Sequence, residues 1–210
     1  MKVYIIRHAK GNTEKGCWQN PDTPLAKDGV LQANKLAKLS RLRNVNTILT
    51  SKLKRSIDTG TPLSKEINVP MHSTELVNER RQVLQIYGAE YCSDIGRKYQ
   101  ESFINSENKI DWKFNQTEES VKDVALRADK FQKMLVSKYL GKNIAVISHD
   151  IFIRTFLAQC VLGTKSGSKS FEKIFNSLST NNCGVTLVEY SETNSSWKML
   201  YFNEFSYLFH

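Results

Sequence analysis

The chain has little of what would place it in several large protein classes. Only four of its 210 residues are cysteine: Cys17, Cys92, Cys160 and Cys183. No two form a CxxC pair, and none lies near a histidine at metal-ligand spacing. That argues against a zinc module and fits reduced thiols in a cytosolic protein. No window approaches the roughly 18 apolar residues of a membrane span. The apolar run before Arg7 is four residues, too short for a signal-peptide core. The expectation is a cytoplasmic protein with no membrane partner. Internal repeats and long low-complexity linkers are missing too. So is a phosphate loop: "YLGKN" lacks the upstream Gly and the Ser/Thr, "GTKSGSKS" has no Gly-Lys pair, and "AKGN" has one Gly.

The chain does have enough apolar material, 40% of its residues, for one sizeable core, so a single domain over 1–210 is expected. Thirty basic residues against 21 acidic give a net charge of +9. Such a balance favours anionic partners or is a lysine-rich surface. The basic residues are spread along the chain, with local runs at 35–43 and 52–55. No basic-aromatic motif of a nucleic-acid module occurs, so no nucleic-acid partner is expected.

Short β-branched runs alternate with helical patterns. "KVYII", "NTILTS" (46–51) and "KNIAVIS" read as buried strands, with a short extended piece at "VPMHSTEL". A helix is expected from Asp28 to about Leu42, with Val30, Ala33, Leu36 and Ala37 on one face. Another covers 52–66. A third runs through "TEESVKDVALRADKFQKMLVSKYL", with Thr117 as N-cap and Ser120 as its rival. A fourth is "DIFIRTFLAQCVLG". "CGVTLVEY" and "WKMLYFN" read as two final strands, with a hairpin as their expected pairing. Residues 163–170 read as a polar loop. Residues 80–117 are aromatic and polar without a clean strand, and read as helix and loop forming a lid. The sum is an α/β three-layer sandwich with a mostly parallel sheet flanked by helices, plus a helical cap insertion at about 80–117.

In such sheets ligands bind beyond the carboxyl ends of the strands. Arg7 and His8 follow the first strand. Arg55 follows the second, in the first turn of a helix. Glu79, Arg80 and Arg81 follow the third extended piece, and His149 and Asp150 follow "NIAVIS". Two of the four histidines therefore converge with arginines and an acid on one rim; His72 and His210 have no such setting and read as structural or surface residues. Lys52 and Lys54 read as solvated. These residue types suit phosphoryl chemistry. Arginine's planar fork matches phosphate oxygens. A neutral imidazole is a nucleophile near neutral pH, and a carboxylic acid can protonate a leaving alcohol. Arginines can neutralise phosphoryl charge, so neither metal nor cofactor is required.

Seven stretches in order resemble the histidine phosphatase superfamily, which includes the phosphoglycerate mutases: "IIRHAKGN", "DTPLAKDGVLQANKLA", "LTSKLKRSIDTG", "LVNER", "TEESVKDVALRADKF", "VISHDIFIRTFL" and "NNCGVTLVEY". The resemblance implies that His8 is the nucleophile and forms a phosphohistidine. It implies that Arg7, Arg55 and His149 hold the phosphoryl group, that Glu79 donates the proton, and that 80–117 is the variable cap. Ala9, Gly11, Glu14 and Asp150 depart from the pattern. Asn12 or Thr13 could substitute for the missing phosphate contacts, and Arg80 and Asp150 are further substrate-binding candidates. Asp150 stands where a related branch carries its proton donor, so it rivals Glu79; it also reads as a helix N-cap. The activity implied is metal-independent hydrolysis of a small phosphorylated substrate. The alternatives are mutase-type phosphoryl transfer and a non-catalytic phospho-ligand module. The mutases' "FTGW" element is missing, and the sequence leaves the oligomeric state open.

Overall fold

The computed structural model describes residues 1–163 and 168–209. Its strands are β1 (Lys2–Arg7), β2 (Thr47–Thr50), β3 (Met71–Ser73), β4 (Asn143–Ser148), β5 (Val185–Ser191) and β6 (Ser196–Glu204). They form one sheet in the order β3-β2-β4-β1-β5-β6. The first four are mutually parallel; β5 joins β1 antiparallel and makes a hairpin with β6. The helices are α1 (Lys27–Ala37), α2 (Lys54–Ile67), α3 (Asp94–Ile104), α4 (Val121–Tyr139), α5 (Asp150–Leu162) and α6 (Ser168–Ser177).

The apolar run of β1 is continuous because both of its faces are covered. Val3 and Ile5 pack with Phe131 of α4 and with Phe152 and Phe156 of α5. Tyr4 and Ile6 point the other way, onto Ala33 and Leu36 of α1 and Leu63 of α2. Strand alternation thus divides one short sequence between two cores, and the layers are helix, sheet, helix. Residues 80–117 carry α3, a 3-10 turn at Leu84–Ile86 and a small core of their own: Val83, Ile86, Tyr99 and Trp112.

Several local expectations need correction. α1 stops at Ala37 and a separate 3-10 turn covers Ser40–Leu42. Val30 is 47% exposed, and Gly29 takes the buried place on that face. A Cβ on Gly29 would stand 2.0 Å from the Lys10 carbonyl oxygen, so only glycine lets α1 lie against the loop that follows His8. Ser120, not Thr117, caps α4: its hydroxyl accepts from the Asp123 N–H, and the Asp123 carboxylate accepts from the Ser120 N–H in return. Of the polar loop at 163–170, residues 164–167 lie outside the described residues, and 168–170 open α6. That helix was not anticipated; Phe171 and Phe175 anchor it against Ala158 of α5. His210 lies outside the described residues, and His72 is exposed on β3. Among the described residues no helix is long and apolar enough to cross a membrane.

Candidate active site

Strand register builds the site. Arg7 pairs with Ser148 at the ends of β1 and β4, so the next residues along, His8 and His149, emerge side by side. Their rings lie 4.9 Å apart between centroids. β2 flanks β4 on its other side, and Ser51 just beyond it meets His149: Oγ to Nε2 is 2.7 Å. Ser51 Oγ also accepts from the Leu53 N–H, which ties the start of the next helix to this pair.

The His8 tautomer is set from both ends. Nδ1 lies 2.7 Å from the Ala9 carbonyl, which can only accept. Nε2 lies 3.2 Å from Arg55 Nε, which can only donate. The proton is therefore on Nδ1, and Nε2 presents a lone pair. Burial, and after it the Arg55 guanidinium, hold the His8 pKa well below the ordinary histidine value of 6.5; the Ala9 carbonyl opposes this weakly. Burial, and after it the repulsion that a second imidazolium would meet from His8, do the same to His149.

Arg55 reaches His8 from the first turn of α2 and donates to the Asn20 carbonyl at 3.0 Å. It is 4% exposed, and burial lowers its pKa below the ordinary arginine value. Thr59, one turn on, accepts from the Ala9 N–H and donates to the Arg55 carbonyl, tying α2 to the His8 loop. Arg7 donates from Nη1 to the Thr180 carbonyl at 2.5 Å. Arg7 Nε, Thr13 Oγ1 and His149 Nδ1 are buried without a hydrogen-bond partner among the described residues, an uncommon condition for polar atoms in a folded protein.

Glu79 lines the same cleft, whose volume is about 1340 Å³. One carboxylate oxygen accepts from its neighbour's amide, Arg80 N–H, at 2.8 Å; the other faces the Ile151 N–H at the start of α5, at 3.3 Å. Burial pushes its pKa above the usual carboxyl value, Asp150 adds to the shift, and the two amides pull it back. Arg7, His8, Arg55 and Glu79 border this one cleft together. His149 lies just behind His8, fully buried.

Other expected residues are placed differently. Asn12 is exposed and lies outside the lining of the cleft, while Thr13 borders it. Asp150 is not the N-cap of α5; His149 is, and Asp150 is the first helical residue. Its carboxylate is occupied by Thr180 Oγ1 at 2.7 Å and Arg154 at 3.3 Å, with Arg7 at 3.7 Å. Arg80 borders the cleft, but its guanidinium is engaged by the Glu119 carbonyl, the Tyr99 hydroxyl and the Glu118 carboxylate, and lies over the Trp112 ring. Lys52 and Lys54 are exposed and pair with Glu75 and Asp58. The strand-end reading missed Asn182, whose Nδ2 donates to the His8 carbonyl at 2.8 Å. β5 is antiparallel, so its contribution to this rim precedes the strand instead of following it.

A mostly parallel sheet with a buried imidazole and two arginines at its carboxyl rim defines an α/β protein with a basic cleft at the strand ends. The chain belongs to the histidine phosphatase superfamily (branch 1), whose family model matches residues 3–204. It is similar in fold to Bacillus stearothermophilus YhfR: TM-score 0.82, 18% identity, 99% of this chain and 98% of that one covered. It is also similar to a mycobacterial glucosyl-3-phosphoglycerate phosphatase in complex with VO3, with TM-score 0.79, 18% identity and 97% and 99% covered. A mutant of phosphoserine phosphatase from Entamoeba histolytica, solved with phosphoserine, gives TM-score 0.75, 19% identity and 99% and 98% covered. Comparison with curated protein sequences finds no match. The family model shows the superfamily, and the likeness to these structures shows the fold.

Proposed function

We propose that the protein hydrolyses small phosphomonoesters through a phosphohistidine on His8, without a metal ion. The observation that carries this reading is the doubly determined His8 tautomer, which leaves Nε2 unprotonated at the floor of the cleft. Arg55 turns from Nε2 to a phosphoryl oxygen as substrate enters. Arg7 Nε and Thr13 Oγ1, whose residues border the cleft, then find the partners they lack. The Nε2 lone pair forms a bond to phosphorus, the ester P–O bond breaks, and Glu79 gives its proton to the departing oxygen. Glu79, now a carboxylate, takes a proton from water. The resulting hydroxide attacks phosphorus, the N–P bond breaks, and its electron pair returns to Nε2. Glu79 suits this role better than Asp150 does, because its carboxyl borders the cleft and its pKa is raised, whereas three groups surround the Asp150 carboxylate. The 80–117 segment covers one wall of the cleft and acts as a cap that selects the leaving group.

The test is hydrolysis of p-nitrophenyl phosphate in excess chelator, wild type beside His8→Ala. Turnover is expected to survive chelation and to fall at least about 1,000-fold in the variant at equal folded concentration, as nucleophile removal does elsewhere. Appreciable turnover by folded His8→Ala sinks the mechanism; loss on chelation sinks its metal independence.

A further inference from the structure

Glu79 sits on an irregular stretch between a 3-10 turn (Glu75–Val77) and the 80–117 segment, where no strand ladder fixes the backbone. A proton donor must nevertheless be held to a fraction of an ångström. The four consecutive carbonyls of this stretch all meet side-chain donors. Arg127 of α4 donates from Nη1 to Leu76 O at 3.0 Å and to Asn78 O at 2.8 Å, and from Nη2 to Glu79 O at 3.4 Å. Ser148 Oγ donates to Val77 O at 2.7 Å.

Glu119 takes the rest of the Arg127 guanidinium, Nε at 3.1 Å and Nη2 at 2.9 Å. A guanidinium has five N–H groups, and these contacts use all of them. Arg127 borders the cleft, yet it has nothing left to offer a phosphoryl oxygen. Glu119 continues the clamp beyond Glu79: it accepts from the Arg81 N–H at 2.9 Å, and its own N–H donates to the Arg81 carbonyl at 2.9 Å. The chain on both sides of Glu79 is thus tied to one ion pair, whose side chains are 14% and 16% exposed.

We infer that the Arg127–Glu119 pair is the positioning device for Glu79, holding the proton donor through its main chain without touching substrate. The inference rests on Glu79 being the proton donor. Lysine in place of Arg127 keeps the charge but offers three donors from one point, which cannot span three carbonyls and a carboxylate.

Leaving-group dependence reads this role directly. p-Nitrophenolate is a stable anion and departs without a proton, whereas an alkoxide needs one. Arg127→Lys, Glu119→Gln and Glu79→Gln are compared with wild type on p-nitrophenyl phosphate and on an alkyl phosphate that wild type turns over. Circular dichroism confirms the fold of each. Glu119→Gln is isosteric and serves where Arg127→Lys does not fold. For Arg127→Lys and Glu119→Gln, kcat/KM on the alkyl ester is expected to fall roughly 100-fold, chiefly in kcat, and on the aryl ester less than about 10-fold. Equal losses on both esters, or no loss, overturn the positioning role if Glu79→Gln itself discriminates between them. Equal losses in Glu79→Gln overturn the proton-donor reading, and the positioning role falls with it.

Discussion

His8 is held between an atom that can only accept and a group that can only donate, so its protonation is decided before any substrate arrives. The same residue-scale logic sets the pH response. Glu79, raised by burial, keeps its proton into higher pH than an ordinary carboxyl and loses it as pH rises through its raised pKa. His8, lowered by burial, stays neutral to lower pH than an ordinary histidine, and under the proposed mechanism it loses its lone pair only as pH falls through its lowered pKa. For an alkyl phosphate, kcat/KM is therefore expected to decline on the alkaline side with Glu79 and on the acid side below 6.5 with His8. Glu79→Gln should abolish the alkaline limb, while an unchanged limb in that variant would assign it to another group. The place of His8 at the rim was legible because it directly follows β1, whereas Glu79 lies beyond β3 and a 3-10 turn. The His8 tautomer was not, because Arg55 reaches the ring from another strand end and only register brings it there. Asn12 shows the limit from the other side: the right residue type beside the motif, yet turned out to solvent.

At the scale of elements, α1 is as much a part of the site as the strands. Its Gly29 lies on the Lys10 carbonyl, two residues past His8, and the Ala26 N–H donates to that same oxygen at 3.0 Å. Gly29→Ala is expected to push the helix off the loop and cost about 2–3 kcal/mol, the range of overpacking in a close-packed interior. Urea denaturation beside wild type measures it, and a variant of unchanged midpoint would show that helix and loop yield freely. The sequence pattern predicted a helix here, but hydrophobic spacing put Val30 on its inner face. Spacing counts apolar side chains, whereas the observed contact is a backbone-to-backbone approach that needs the absence of one. Asn182 and α6 escaped for kindred reasons. A rim residue of an antiparallel strand comes before the strand. A short helix whose anchors are Phe171 and Phe175, four apart among polar residues, gives a weak periodic signal.

For the whole molecule, two buried neutral histidines make folding sensitive to acid. Their folded pKa values lie below 6.5 and their unfolded values near it, so the unfolded chain binds up to two more protons in the interval between. Their contribution to stability is complete above the unfolded value and is lost as pH falls through the folded values. The loss approaches about 1.4 kcal/mol per pH unit for each histidine. Glu79 acts with the opposite sign: its raised pKa favours the fold at low pH, and that contribution fades as pH rises through it. Urea midpoints at pH 7 and pH 5 are expected to differ in wild type and to differ by roughly half as much in His8→Asn. Equal differences would mean that His8 does not carry this sensitivity. The order of the strands also has a bearing on synthesis. Lys2–Arg7 is hydrogen-bonded on one side to Asn143–Ser148 and on the other to residues of β5, and to no strand nearer in the chain. As translation proceeds from the amino end, the strand that leads into His8 leaves the ribosome early and waits for most of the polypeptide before either edge is covered. A ribosome stalled before residue 143 holds a nascent chain with β1 unpaired on both edges, so the rim that carries His8 is assembled late in translation and its first piece waits with its apolar residues uncovered.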